Sequence, residues 1–353
     1  QAKPVGEVSN LTQLESHTTR ARIIMMWRAA HNMISWDPRS VELIYQSTLD
    51  SISEAFEIQH YAVSQYMLAA RADIWEAGLA PEVVKKVVAG TEPLVTAAPE
   101  KHSDTLLLAG EVAQLEDDSA LEPLEAALRL AGVAATTWNT STGVLAYVLG
   151  AWDVARKRAE HVVGGLKAAG ITTVIADGPE TAWILTKAYP ALGVELPAGM
   201  SVKLLSAVLA DKLTGTLDDI GLGPVMVHDS RPACLIADAW PSNLAVMPGY
   251  LANEAEFGKG KVFEAPRRLV DALGGKRLFG TYTRALAKTS GADDGLWQTY
   301  PQLAQGLAAQ RLDYALHLGA KTIVTDSPLA AAYLKSQLAG RKLKIRLLAE
   351  LLG

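Results

Sequence analysis

Residues 170–179 read GITTVIADGP, and residues 319–328 read GAKTIVTDSP. In each segment, a run of apolar and β-branched residues ends at an Asp, and a Pro stands two positions after that Asp. This order predicts a buried strand that leads directly into a helix. The two segments match in order and character, so the sequence predicts that one α/β unit occurs twice.

A second pair of landmarks repeats at nearly the same distance. Ser141-Thr142-Gly143 corresponds to Thr289-Ser290-Gly291. There are 34 residues between Gly143 and Gly178, and 35 between Gly291 and Ser327. The agreement predicts two homologous α/β lobes, a first lobe (residues 103–218) and a second lobe (residues 222–345), related by a pseudo-twofold axis.

The spacing of apolar residues along the chain supports this division. Before residue 100 the apolar residues follow helical spacing, over residues 19–33 and 40–74, and Asp37-Pro38 is typical of an N-cap followed by Pro in the first turn. We therefore expect an N-terminal helical region (residues 1–100). Beyond it, short apolar runs alternate with amphipathic stretches, which predicts a largely parallel sheet in each lobe. The predicted strands are residues 105–108, 173–176, 225–227 and 322–325, and the predicted helices are 121–131, 151–169 and 303–318.

Composition limits the chemistry. The chain has one cysteine, Cys234, among 353 residues, and a formal net charge of −5. One cysteine excludes a disulfide framework and a four-thiolate metal site. The sequence shows no basic stripe with interleaved aromatic residues, so we expect no nucleic-acid partner. It also shows no apolar run of roughly 18–20 residues and no signal-peptide pattern, so we expect a cytoplasmic chain.

Several motifs resemble cluster-binding segments in which the cysteines are replaced. Residues 45–57 (YQSTLDSISEAFE) resemble a ferredoxin run of four cysteines, and residues 106–111 (LLLAGE) resemble a strand that ends in Gly-Cys. The Ser-Thr-Gly and Thr-Ser-Gly triplets stand where Cys-Cys-Gly is expected, and residues 178–181 (GPET) and 327–330 (SPLA) where Cys-Pro-x-Cys is expected. Residues 228–231 (HDSR) resemble His-Asp-Pro-Cys.

The chain thus resembles proteins with a ferredoxin-like helical N-terminal domain followed by two cysteine-rich CCG domains. That family includes the B and C subunits of heterodisulfide reductase and the iron–sulfur subunits of glycolate oxidase and of anaerobic glycerol-3-phosphate dehydrogenase. The resemblance implies fourteen vestigial ligand positions: Ser47, Asp50, Ser53, Glu57, Glu111, Ser141, Thr142, Gly178, Thr181, Arg231, Thr289, Ser290, Ser327 and Ala330. The gap between Arg231 and Thr289 exceeds the family's usual length, which suggests an insertion near residues 240–258.

Iron–sulfur clusters are held by thiolates, so the resemblance implies a scaffold without its cofactor. We expect no bound cofactor, no metal and no catalytic residue. The implied function is that of a cluster-free structural or assembly subunit in a heterodisulfide-reductase-like oxidoreductase or electron-transfer complex. Its expected partners are other redox subunits, such as a cluster-bearing homologue or a flavin dehydrogenase, which would place it at the cytoplasmic face of a membrane when the complex is membrane-associated.

Two alternatives follow from the same residues. An interlobe cleft lined by Glu111, Arg231, Ser290 and Ser327 would suit an enzyme or sensor for an anionic ligand, because Arg recognises carboxylates. A metal site would draw on the carboxylates and imidazole near the strand ends, but Arg231 would place a cation beside the metal. The candidate metal ligands are Glu111, Asp177, His228, Asp229 and Asp326. As strand neighbours, His228 and Asp229 point to opposite sides, which favours structural roles for both.

The first prediction is that the purified chain binds no iron–sulfur cluster, because its single thiol is too few for cluster ligation. After anaerobic reconstitution with iron and sulfide, the protein should be colourless, with iron below one equivalent per chain by elemental analysis. Stoichiometric iron with the visible absorbance of a cubane would contradict this expectation.

Overall fold

A computed structural model describes residues 6–49, 51–56, 62–215, 217–236 and 261–352. Two vestigial ligand positions, Asp50 and Glu57, lie outside the described residues, as does the predicted insertion at residues 240–258.

Two four-stranded parallel sheets form the centre of the fold, with strand orders β2-β1-β3-β4 and β6-β5-β7-β8. The order is therefore the same in both sheets when β1 is matched with β5 and β3 with β7. In the first sheet, Leu108 of β1 lies opposite Trp138 of β2 and Ala176 of β3. The strands are Thr105–Leu108 (β1), Thr136–Trp138 (β2), Thr173–Ala176 (β3), Ser201–Leu204 (β4), Gly223–Val227 (β5), Gly275–Arg277 (β6), Thr322–Thr325 (β7) and Lys344–Leu347 (β8).

The four strands predicted from the sequence are β1, β3, β5 and β7, and all four are confirmed as the central strands. The four strands that the sequence did not reveal, β2, β4, β6 and β8, are the sheet edges. Edge strands here are short and carry polar residues, as in Gly275–Arg277, so they lack the continuous apolar run of a strand that is buried on both faces.

Helices surround both sheets, and the three predicted amphipathic helices of the lobes are confirmed as α7, α9 and α16. None of the described helices has both the length and the apolar character required to cross a bilayer. The helices are Glu7–Thr12 (α1), Thr19–Ala30 (α2), Pro38–Tyr45 (α3), Ser51–Phe56 (α4), Val63–Glu76 (α5), Glu82–Gly90 (α6), Leu121–Leu130 (α7), Val144–Val148 (α8), Trp152–Ala168 (α9), Pro179–Trp183 (α10), Tyr189–Ala191 (α11), Leu205–Leu213 (α12), Arg231–Ile236 (α13), Lys261–Ala272 (α14), Leu296–Thr299 (α15), Pro301–His317 (α16) and Pro328–Ser336 (α17).

Local signals in the sequence are reproduced by the structure. Asp37 caps α3, and its carboxylate accepts hydrogen bonds from the backbone N–H groups of Arg39 and Ser40. The Gly178-Pro179 and Ser327-Pro328 pairs occupy the same place, the N-cap and first turn of the helix after the third strand of each sheet. These equivalences agree with the predicted repeat, and superposition of the lobes by a pseudo-twofold axis stays a prediction.

Alternation along the strands assigns each face of the first sheet to a different neighbour. Leu106 and Leu108 belong to the apolar cluster that includes α5, α8 and α9, whereas Leu107 belongs to the cluster that includes α12, α14 and the second sheet. Successive strand residues point to opposite faces, so the first sheet lies between the N-terminal helical region and the second lobe. Glu111, Arg231 and Ser327, which follow the carboxyl ends of central strands, are buried as well.

Gly150 lies at a close approach between the first lobe and the N-terminal helical region. It has φ of +87°, and a Cβ atom added there would lie 2.3 Å from the carbonyl oxygen of Arg71. Tyr45 closes the same junction, since its hydroxyl lies within hydrogen-bond distance of the carbonyl oxygens of Arg71 (3.3 Å) and Leu149 (3.1 Å).

The second prediction compares Gly150→Ala with Gly199→Ala. Both glycines have positive φ, but no described atom lies within 4 Å of a Cβ at Gly199. Gly199→Ala should lower the unfolding free energy by about 1 kcal/mol from backbone strain, and Gly150→Ala by about 2–4 kcal/mol, because overpacking is added to strain. Chemical denaturation measures both values. Equal losses would show that the Gly150 contact is not tight.

Candidate functional site

In the first lobe, the vestigial ligand positions lie together at the carboxyl ends of the strands. A Cβ atom added at Gly178 would lie 2.2 Å from Glu111 Oε1, and one at Gly110 would lie 2.6 Å from both Thr142 Cγ2 and Thr181 Oγ1. Parallel strands present their carboxyl ends at one edge, which explains how residues from three strand ends meet. The structure thus brings together four of the positions that the resemblance implied.

Glu111 fills the centre of this group and joins it to the second lobe. Its Oε1 accepts a hydrogen bond from the backbone N–H of Glu180 at 2.8 Å. Its Oε2 accepts from the Ser327 hydroxyl at 2.5 Å and from the backbone N–H of Leu329 at 3.3 Å. Glu111 and Ser327 are both buried, so the carboxylate takes up the space between two vestigial sites and leaves no open cleft at that point.

Asp177 completes a buried acidic cluster with Glu111 and Glu180. Its Oδ2 accepts from the backbone N–H groups of Glu111 (2.9 Å) and Val112 (3.0 Å), and its Oδ1 accepts from the Thr181 hydroxyl at 2.6 Å. Asp177 thus orders the loop after β1.

Burial has a large effect on the protonation of this cluster. Desolvation, together with the charges of Asp177 and Glu180, raises the pKa of Glu111 well above its usual range. Desolvation raises the pKa of Asp177 to about 6. Desolvation also raises the pKa of Glu180 to about 8, with further contributions from Asp293, Asp294 and Asp177. The cluster therefore holds protons near neutral pH.

Ser141 and Thr142 act as turn residues of the first lobe. The Ser141 hydroxyl accepts from the backbone N–H of Gly143 at 3.4 Å, and the Ser141 N–H donates to the carbonyl oxygen of Leu94 at 2.8 Å. The Tyr189 hydroxyl donates to the carbonyl oxygen of Thr142 at 2.9 Å. These contacts hold the chain before α8, and none of them brings a base to either hydroxyl.

In the second lobe, two vestigial positions meet at a residue from the far N-terminus. The fully buried Arg231 forms an ion pair with Glu7, which is 2% exposed. The other oxygen of the Glu7 carboxylate accepts the backbone N–H of Thr289 at 2.6 Å. A buried guanidinium without a partner would be costly, and the Glu7 carboxylate offsets that cost. The sequence did not indicate that Glu7 supplies it.

The remaining positions of the second lobe are held by local hydrogen bonds. Asp293 Oδ2 accepts from the Thr289 hydroxyl at 2.6 Å and from the backbone N–H of Ser290 at 3.1 Å. The Ser327 hydroxyl accepts the backbone N–H of Ala330 at 3.1 Å and so caps α17. Ser327 therefore serves both its own helix and Glu111 of the first lobe.

His228 and Asp229 bind separate arginines. Arg311 Nε donates to His228 Nδ1 at 3.0 Å, while Arg267 binds both carboxylate oxygens of Asp229, at 2.8 and 2.7 Å. Desolvation, with the charge of Arg311, lowers the pKa of His228 well below its usual value. Burial opposes ionisation of Asp229, but the charge and hydrogen bonds of Arg267 outweigh it and lower the pKa of that carboxyl. The two residues do not form a catalytic pair.

The ferredoxin-like run does not assemble into one site within the described residues. Arg71 Nη2 donates to the carbonyl oxygen of Ser47 at 2.7 Å. The Ser53 hydroxyl instead lies 2.9 Å from the Thr19 hydroxyl.

The described residues contain no group of three or more His, Cys, Asp or Glu side chains placed to hold a metal ion. Asp326, one of the candidate ligands, accepts the Ser206 hydroxyl at 2.7 Å. The only cysteine is buried, and desolvation raises the pKa of the Cys234 thiol to about 12. Since the thiolate is the form that binds metals, Cys234 is a poor ligand at neutral pH.

Two larger cavities open on the surface. A groove of about 570 Å³, here called the α2–α5 groove, is lined by Ile23, Ile24, Met26, Trp27, Ala29, Ala30, Trp36, Tyr66, Ala69, Ala70 and Asp73. A second cavity of about 510 Å³, here called the interlobe cleft, lies between residues 115–120 and the α17–β8 segment. Its walls include Trp297, Leu329 and Tyr333, with Glu116 and Asp117 among the charged groups.

The cleft predicted from the sequence and the cavity found between the lobes are lined by different residues. Glu111, Arg231, Ser290 and Ser327 are buried, and none of them lines the interlobe cleft as the structure describes it. The physical reason is that these side chains bind partners inside the protein, and such partners cannot be read from spacing. The sequence analysis also assigned no role to Glu7, Arg71, Arg267 or Arg311, each a charged residue on a helix.

No protein-family model matches the chain, and no curated protein matches it significantly.

The third prediction concerns the pH dependence of stability. Glu180 has a folded pKa of about 8, against about 4.3 in an unfolded chain, so the folded state retains a proton between these values. This contribution is fully present at low pH and is lost as pH rises through about 8. Glu180→Gln keeps a neutral side chain whose oxygen still accepts from Gln114. The variant should therefore lose roughly 1–3 kcal/mol less unfolding free energy than wild type between pH 5.5 and 8.5.

The matched control is Glu195→Gln, at an exposed carboxylate of the same lobe. Urea titrations at several pH values should give this control the wild-type slope. If Glu180→Gln also has the wild-type slope, Glu180 is not protonated in the folded protein at neutral pH.

Proposed function

We propose that the chain is a cluster-free, non-catalytic structural or assembly subunit of a multisubunit redox complex, of the heterodisulfide-reductase-like kind that the sequence motifs resemble. The observation that carries this proposal is the way the vestigial ligand positions are used. The described positions of the two lobes are filled by buried hydrogen-bonded side chains and turn residues, with Glu111 bound to Ser327 and Arg231 bound to Glu7. A scaffold keeps its strand-end loops in place by such contacts without needing a cofactor.

The surface supports an assembly role through the α2–α5 groove. The exposed aromatic side chains Trp27 (51%) and Tyr66 (46%) stand on its two helices, and Ala69 and Ala70 keep its floor shallow. Large exposed apolar side chains around a concave floor are typical of a surface that receives a helix. A groove of this kind binds an amphipathic helix through apolar residues at helical spacing.

The groove also indicates the charge of its occupant. Asp73 lines one end, and burial together with the nearby Glu76 raises the pKa of its carboxyl. A cation placed there would relieve that repulsion. The occupant we propose is therefore an amphipathic helix of a partner subunit, with apolar residues against Trp27 and Tyr66 and a Lys or Arg against Asp73. The docking face lies partly within the Tyr45–Arg71 stretch and extends onto α2.

An enzyme or sensor that binds an anionic ligand between the lobes receives less support. The interlobe cleft carries Glu116, Asp117 and Glu350 on its walls, and the one cation there, Lys335, pairs with Glu350 at 2.5 Å, as far as the described residues show. Acidic walls repel an anion.

The fourth prediction tests the α2–α5 groove with Ala69→Arg. A long cationic side chain at the exposed Ala69 should block the floor and repel the basic residue of the partner helix. When the tagged chain is isolated from its native source, wild type should bring a stoichiometric partner that carries flavin or iron. Ala69→Arg should reduce that yield about tenfold or more, which corresponds to a loss of ~1.4 kcal/mol of binding free energy.

The matched control is Ala77→Arg, an exposed alanine at the C-cap of the same helix and outside the groove lining. It should leave the yield of partner unchanged, and both variants should melt like wild type. Loss of partner in both variants, or in neither, contradicts the groove as the docking face. If the pure chain dimerises and Ala69→Arg makes it monomeric, the occupant is a second copy and the partner-helix proposal is wrong.

A further inference from the structure

The contact between α1 and the second lobe has the features of a ligand and its binding pocket. Glu7 lies in the first turn of a six-residue helix, and its carboxylate reaches Arg231 and the backbone N–H of Thr289. These partners are 224 and 282 residues away in the chain. An arginine and a backbone N–H directed at one carboxylate are the means by which proteins bind anions.

Further buried polar atoms lie in this part of the second lobe, where the charge of Glu7 also acts on Arg311. Among the buried polar atoms of the described residues, His228 Nε2, Ser230 Oγ and Arg311 Nη2 have no hydrogen-bond partner. His228 precedes Arg231 in the loop after β5, and the charges of both Arg231 and Arg311 act on its ring. Buried polar atoms without partners are rare in proteins and often indicate a missing ligand or water.

The protonation of these atoms is fixed by their neighbours. Arg311 Nε can only donate, so His228 Nδ1 accepts its hydrogen bond at 3.0 Å. The neutral imidazole then carries its hydrogen on Nε2, which becomes a donor. Arg311 Nη2 is also a donor, and the Ser230 hydroxyl can act as one. The surplus is therefore in donors, which an anion satisfies and a cation does not.

We infer that Arg231, the Thr289 N–H, His228, Ser230 and Arg311 form a binding pocket for a small carboxylate, and that Glu7 occupies this pocket as an internal substitute for the ligand. The pocket belongs to the second lobe alone, so the inference does not rest on the assembly role. A carboxylate from solution reaches it only when Glu7 leaves.

The packing of α1 shows how occupancy of the pocket is coupled to the position of the N-terminal segment. Val8 packs into an apolar cluster with Ala304 and Leu307 of α16, and Leu11 lies so close that a Cβ atom at Gly306 would be 2.6 Å from it. Helix α16 also carries Arg311 of the pocket. Displacement of Glu7 by a ligand would therefore release α1 from α16, which links the pocket to the position of the N-terminal segment.

The test is chemical rescue of Glu7→Ala by exogenous carboxylates. The variant should melt several degrees below wild type in sodium chloride. Acetate and propionate at tens of millimolar should restore most of that loss at constant ionic strength, because they replace the deleted group and bind only the folded state. Glu7→Gln, whose amide fills the pocket, should be destabilised but not rescued, and Glu82→Ala, at an exposed carboxylate of α6, should show neither effect.

Each outcome decides the inference. If Glu7→Ala is unfolded in chloride, recovery of its circular dichroism signal in propionate is the same positive result. Rescue should be accompanied by binding of ¹³C-labelled acetate to Glu7→Ala and should be lost in Glu7→Ala/Arg231→Gln. Equal effects of chloride and acetate, or no recovery in either salt, would show that Glu7 and Arg231 form an ion pair of the fold and that no pocket exists.

Discussion

Arg71 holds together the three parts of this protein. Its guanidinium is fully buried on α5, where Nη2 binds the carbonyl oxygen of Ser47 and Nη1 binds the carbonyl oxygens of Val148 (2.6 Å) and Asp294 (3.4 Å). Those acceptors belong to the N-terminal helical region, the first lobe and the second lobe. Burial lowers the pKa of Arg71, while the nearby Asp294 charge opposes that shift. Since removing a charge from water costs several kcal/mol per ion, the three regions have to meet in one geometry for these acceptors to offset the cost.

The contacts at the carboxyl ends of the strands also join distant parts of the chain through buried polar groups. Glu111 crosses from the first lobe to Ser327 of the second, and Glu7 crosses from α1 to Arg231. Each is a polar group that is satisfied only when two distant parts of the chain are correctly placed. Buried ionic contacts contribute little net stability, but an unpaired member is strongly penalised. They therefore act against misplacement of the lobes.

The sequence predicted those parts of the fold that local pattern controls. The four central strands are buried on both faces and appear as apolar runs such as Thr322–Thr325, whereas the edge strand Lys344–Leu347 alternates exposed and buried residues and was missed. The motif spacing also places Glu111, Thr142, Gly178 and Thr181 just after parallel strands. They lie together because parallel strands end at the same edge of the sheet. What spacing cannot give is the partner of a buried charge. The pairing of Glu7 with Arg231 depends on where a helix settles 224 residues away, and no local pattern encodes it.

The interior of this molecule and its exposed α2–α5 groove differ in how polar and apolar groups are arranged. Inside, carboxylates and arginines are buried in pairs or kept protonated, as in the cluster of Glu111, Asp177 and Glu180. Outside, the α2–α5 groove leaves the aromatic side chains of Trp27 and Tyr66 exposed to water. Closed strand-end sites together with an open apolar groove support the proposed contact with another chain. The second lobe is the exception, because His228 Nε2, Ser230 Oγ and Arg311 Nη2 have no hydrogen-bond partner, and the inferred carboxylate pocket lies there.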